Sequence, residues 1–113
     1  MNELEVLEDR WADGRCERIA RVPLALDCVD GHFPGFPIVP GFVQIGWAME
    51  TARPLMGAAP LRRIEALKFK ELLRPGETIR VIVERHPGGV RFALERSGAV
   101  VSSGRLVVDG ALA

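Results

Sequence analysis

The sequence predicts an α+β fold: one long central helix wrapped by a curved antiparallel sheet of about five strands. Three observations lead there. Phe42, Ile45, Met49, Ala52 and Met56 fall at helical spacing and define one apolar stripe. After them, segments that alternate apolar with charged residues recur between short Pro/Gly turns. Between the N-terminal part and the helix lies a stretch, Gly31-His32-Phe33-Pro34-Gly35-Phe36-Pro37-Ile38-Val39-Pro40-Gly41, that neither strand nor helix can traverse. Each proline lacks an N–H and fixes its own φ, and it pushes the preceding residue into extended geometry.

The elements follow in order. Residues 2–8 suggest a short helix or an irregular arm, and Trp11-Ala12-Asp13-Gly14 a turn. Residues 15–22 alternate imperfectly, as an edge strand does. Residues 23–31 continue into the Pro-rich loop. The helix starts at Pro40-Gly41 and runs from Phe42 to Met56, with Trp47 and Ala48 widening its stripe and Arg53-Pro54 and Gly57 closing it. Strands are then expected at 62–72, 78–86, 90–96 and 99–109. The turns between them are Arg74-Pro75-Gly76-Glu77, Pro87-Gly88-Gly89 and Ser97-Gly98. Such short connections imply antiparallel hairpins. A single sheet of this size leaves its helix and edges poorly covered, so a dimer joined edge to edge is expected.

The totals exclude several classes. The 113 residues suit one domain, 1–113. Lys+Arg and Asp+Glu are both 15, which gives no electrostatic case for nucleic acid or an anionic membrane. No apolar run approaches a membrane span, and the acidic N-terminus lacks the basic start of a signal peptide, so a cytoplasmic protein is expected. Cys16 and Cys28 fit no metal spacing and are expected as free thiols, with no metal and no cofactor implied.

The run His32-Phe33-Pro34-Gly35-x-Pro37-Ile38-x-Pro40-Gly41-x-Val43-Gln44-Ile45 resembles the signature of FabA/FabZ-type 3-hydroxyacyl-[acyl-carrier-protein] dehydratases, which have the hotdog fold. Lys68-Phe69-Lys70 and Leu73-Arg74-Pro75-Gly76-Glu77 resemble the family's next strand and its Pro-Gly turn. The short length and Trp47-Ala48 look like the ApeI-like branch, which is linked to polyene-type pigments. The resemblance implies a substrate held by phosphopantetheine on acyl carrier protein.

Dehydrating a 3-hydroxyacyl thioester needs a base for the α-proton, a donor for the enolate oxygen, and an acid for the departing hydroxyl. Imidazole titrates near neutrality, so His32 suits the base, held by a stiff loop. Gly41 stands at the helix start, where N–H groups are unpaired, and without a Cβ it admits a thioester oxygen. The resemblance assigns these positions the same roles. It places the acid fourteen residues after the histidine, where this chain has Gly46. Glu50, one turn on, is the nearest carboxylate; it is also a candidate for a solvated pair with Arg53.

Phe33, Pro40, Phe42, Gln44 and Gly46 are the candidate substrate-binding residues. The phenylalanines read as tunnel lining or as core, and Gln44 as a site group or as a helix-start or interface residue. Lys68, Lys70, Arg62 and Arg63 suit either an acidic carrier or a solvated strand face. Three functions stay open: a dehydratase, a hotdog acyl thioesterase using the same cleft, and a catalytically weak subunit. The last would pair with an acid-bearing homologue, so both homodimer and heterodimer are expected forms.

Overall fold

The computed structural model describes residues 2–25 and 38–109. Its elements are β1 (Glu5–Ala12), β2 (Arg15–Arg21), α1 (Gly41–Met56), β3 (Leu61–Phe69), β4 (Thr78–His86), β5 (Gly89–Arg96) and β6 (Ala99–Val108). The strands form one antiparallel sheet in the order β1-β2-β4-β5-β6-β3, and α1 lies chiefly across β4 and β5. This is the helix-and-sheet architecture expected, with six strands instead of about five.

The additional strand is β1. Residues 2–8 form no helix, and Trp11 and Ala12 belong to β1 with the turn confined to Asp13-Gly14. Every residue of β1 is exposed, so none of its charges had to alternate with a core residue. It is held to β2 by backbone pairing and by Arg18, whose Nε and Nη2 donate to Asp9 at 2.8 and 2.9 Å. That fork holds the Asp9 carboxyl below the usual carboxylate range.

The core follows the strand period. Ile79, Val81 and Val83 of β4 and Val90, Phe92 and Leu94 of β5 are buried under the helix. The alternate positions face outward, and among them Arg80, Glu84 and Arg91 form ion pairs such as Arg80–Glu17 at 3.5 Å. Cys16 is buried, and burial is the leading cause that raises its thiol pKa.

The helix buries a different stripe from the one its spacing suggested. Val43, Gln44, Trp47, Ala48, Thr51, Ala52, Leu55 and Met56 are buried, Ile45 and Met49 are half-buried, and Phe42 is 69% exposed. The small side chains of Ala48, Thr51 and Ala52 let the helix lie close on the sheet. Phe42 does not cover this sheet. At the far end, Gly57 (φ 60°) takes the left-handed turn, and its N–H donates to the Arg53 carbonyl at 2.9 Å.

The chain on either side of residues 26–37 is fastened to one turn. The Val22 N–H donates to Glu77 O (2.8 Å), the Gly76 N–H to Val22 O (2.9 Å), and the Val39 N–H to Leu73 O (2.7 Å). The Leu73-Arg74-Pro75-Gly76-Glu77 turn therefore anchors both ends of the Pro-rich segment. Arg96 braces the turn, with Nη1 donating to Leu72 O at 2.6 Å and to Glu77 Oε1 at 3.1 Å.

Candidate functional site

Pro40 caps the helix in an extended conformation (φ −61°, ψ 150°), and Gly41 opens the first turn. The first amides to find a carbonyl are those of Val43 and Gln44, which donate to Pro40 O at 3.1 and 3.3 Å. The Gly41 and Phe42 N–H groups precede them and have no acceptor within the helix, so they carry the positive end of its dipole. His32 and Phe33 lie outside the described residues.

Gln44 is 3% exposed, and its Nε2 donates to Val39 O at 3.2 Å. It thus ties the helix back to its own entry segment. Its Oε1 is buried without a hydrogen-bond partner among the described residues.

The two glycines of α1 face opposite surroundings. A Cβ at Gly46 would meet nothing within 4 Å, whereas one at Gly41 would fall 2.6 Å from Cζ of Phe69. Gly46 opens onto a cleft of about 640 Å³ bounded by Leu4, Arg18, Phe42, Trp47 and Glu50. The Trp47 indole N–H donates to the Asn2 carbonyl at 2.6 Å, which fastens the N-terminal arm along one wall. Arg18, absent from the sequence-derived candidates, lines this cleft from β2 while its guanidinium donates to Asp9. Only the register of β1 and β2 reveals it. Glu50 is exposed and pairs with Arg53 at 3.0 Å.

The structure therefore groups Phe42, Gly46 and Glu50 on one cleft and sets Gly41 apart. By helix geometry Gly46 lies about 7.5 Å along the axis from Gly41 and about 140° around it. Glu50 lies about 13.5 Å away and half a turn round. Phe69, read from the sequence only as a strand residue, is the side chain that meets Gly41. Among the described residues no group of three His, Cys, Asp or Glu is placed to hold a metal, and no helix is long and apolar enough to cross a membrane.

A family model described as ApeI-like, ApeI dehydratase, matches residues 8–105. A 3-hydroxyacyl-[acyl-carrier-protein] dehydratase FabZ from Thermomicrobium roseum is 31% identical over 96% of this chain and 72% of its own length. The same enzyme from a Wolbachia pipientis strain is 33% identical over 72% of this chain, which spans 61% of it. Among solved structures, the dehydratase heterocomplex ApeI:P from Xenorhabdus doucetiae superposes with a TM-score of 0.86 at 24% identity, covering 94% of this chain and 97% of that one. An uncharacterized protein from Erwinia carotovora subsp. atroseptica gives 0.80 at 25% identity, covering 94% and 95%. The fold is the hotdog fold.

Proposed function

The chain belongs to the ApeI-like dehydratase family, and from that premise we propose that it eliminates water from a 3-hydroxyacyl thioester on acyl carrier protein, in fatty-acid or polyene-type synthesis. The start of α1 carries the reading. A rigid Pro-Gly entry puts the Gly41 N–H ahead of the first intrahelical donors, where it can hold a thioester oxygen as enolate charge develops. His32 takes the α-proton. The 3-hydroxyl leaves as water once an acid gives it a proton, and the electron pair of the broken C–H bond becomes the new C=C bond. Lys68 and Lys70, exposed on either side of Phe69, suit an acidic carrier or its phosphate.

One chain does not hold the whole site. The free N–H groups of α1 point along its axis from the helix start, whereas Gly46 and Glu50 project from its flank about 7.5 and 13.5 Å further on, so on this reading a proton donor on that flank serves a thioester bound to another chain's Gly41. β3 is an edge of the sheet, with Leu67 and Leu72 exposed apolar residues on it or just after it, and Phe42 is exposed on the cleft side of α1. A dimer covers them. Gly46 favours a second form of the same reading, a subunit of low activity alone that works with an acid-bearing homologue. The existence of a dehydratase heterocomplex of this fold supports that form.

The test is the intact mass of a 3-hydroxyacyl carrier protein after incubation with the protein. Loss of water supports a dehydratase, loss of the acyl group a thioesterase, and no change a non-catalytic subunit. His32→Ala is expected to lower dehydration by roughly 10²–10⁴-fold while the fold is retained. Activity within a few-fold of the parent removes His32 from the mechanism. Glu50→Gln asks whether that carboxylate is the donor: a comparable loss assigns it the proton, and no loss assigns it to water or a partner chain.

A further inference from the structure

Gly41 has a neighbour that its role at the helix start does not require. The Phe69 ring fills the space of the missing side chain: an ideal Cβ would lie 2.6, 2.9 and 3.0 Å from Cζ, Cε1 and Cε2. Phe69 reaches that place through a bulge. Ile64 pairs with Leu106 and Glu65 with Arg105, but Lys68 pairs with Ser103 and Phe69 with Ser102, a register shift between Glu65 and Lys68. Ala66 takes φ 52° within it, a conformation that alanine rarely adopts. Without the extra residue, strict alternation from Ile64 would turn Phe69 to the opposite face. The bulge turns the ring inward, to the helix.

Only half of Phe69 is covered, at 47% exposure, so the ring remains a wall as well as a packing contact. Across the strand pair sits Ser102, fully buried, with no partner for its Oγ among the described residues. An orphaned buried hydroxyl costs about 1–3 kcal/mol, and native structures keep such groups sparingly.

We propose that Phe69 is a specificity-determining residue: its ring sets the width of the space before the Gly41 amide and rejects thioesters that carry a branch at the α-carbon. It follows that Gly41 must lack a side chain on account of Phe69, not of the substrate alone. The inference rests on the acyl-thioester site proposed above. It holds whether the bound thioester is dehydrated or hydrolysed.

The experiment uses unreactive amide analogues of 3-hydroxyacyl-pantetheine, one straight and one with an α-methyl group, with dissociation constants measured for the parent, Phe69→Ala, Phe69→Leu, Gly41→Ala and Gly41→Ala/Phe69→Ala. The parent is expected to bind the branched analogue at least tenfold more weakly, and Phe69→Ala to narrow the gap to within threefold, with Phe69→Leu between them. Gly41→Ala is expected to weaken the straight analogue at least tenfold in the parent and under threefold beside Phe69→Ala. Thermal unfolding confirms that each variant is folded. An unchanged branched-to-straight ratio in Phe69→Ala, equal losses from Gly41→Ala in both backgrounds, or no binding by the parent overturns the proposal. Turnover of the carrier-bound substrate is read separately. Absence of dehydration with the binding pattern intact refutes the dehydratase reading alone. Dehydration without the pattern refutes Phe69 alone.

Discussion

Gly46 makes a prediction in which stability and activity are read from one site. A glycine inside a helix is about 0.8–1.0 kcal/mol less favourable than alanine. Nothing lies within 4 Å of the Cβ it lacks, so no steric term opposes a side chain. Gly46→Ala is therefore expected to stabilise the protein by close to that full amount, raising Tm by about 3–6 °C for a chain of this length. Gly46→Glu gains somewhat less, because Glu50 stands at i+4 and a like-charge pair there costs about 0.2–0.5 kcal/mol. Arg18 on the same cleft offsets part of that repulsion. On the proposed reading, Gly46→Glu also restores the missing proton donor and raises dehydration by roughly tenfold or more, a modest share of what a general acid supplies. Gly46→Gln has nearly the same propensity and size and no acid, so it is expected to gain stability without the rate. Thermal unfolding at one fixed protein concentration and initial rates of water loss from a 3-hydroxyacyl carrier protein measure both. Destabilisation by Gly46→Ala would show that something fills the cleft. A stable Gly46→Glu no faster than Gly46→Gln would show that this face does not meet substrate.

Three further outcomes are expected. Arg96→Ala removes the donors to Leu72 O and Glu77 Oε1 and loosens the turn that anchors both ends of the Pro-rich segment, so kcat should fall more than Tm does; a parallel loss of both would make Arg96 merely structural. Gly89→Ala would put a Cβ 1.8 Å from the Leu106 carbonyl oxygen, a clash with backbone that should cost about 1–3 kcal/mol or more in denaturant unfolding; an unchanged midpoint would refute the β5–β6 approach. Asp9 has its folded pKa lowered by Arg18, so its contribution is present above the unfolded carboxyl pKa of about 3.9 and is lost as pH falls through the folded value. Tm should accordingly fall less steeply with acid in Asp9→Asn than in the parent between pH 5 and pH 2, and identical slopes would exclude the pair.

The sequence carried the helix and five of the six strands, most closely the helix, β2, β4, β5 and β6, because each of those elements buries one face and must repeat with the period of its backbone. The prediction of 78–86 coincides with β4 as observed. β1 escaped notice for the converse reason: a strand exposed along its whole length has no pattern to keep. The bulge at Ala66 was equally illegible, since alanine carries no sign of positive φ. With it went the inward turn of Phe69. Arg18 read as one more charge on an edge strand until the register placed Asp9 beside it.

The helix stripe shows why the site was harder to read than the fold. Periodicity finds apolar residues on a helix but does not say what covers them. Phe42 belonged to the predicted stripe, yet the sheet is covered instead by Gln44, Ala48, Thr51 and Leu55, and Phe42 is left outside with Gly46 and Glu50. A chain written for one domain alone has no reason to keep an exposed phenylalanine beside a glycine in a helix whose other face is fully packed. Both features make sense if that face meets a second chain. On the proposed reading, proton donor and thioester oxygen then need not come from one helix, and the glycine at the donor position fits a subunit whose partner brings the acid. The same step explains why the resemblance joined His32, Gly41 and, in place of the absent acid, Glu50 in one site, while the helix geometry sets Gly41 and Glu50 half a turn apart.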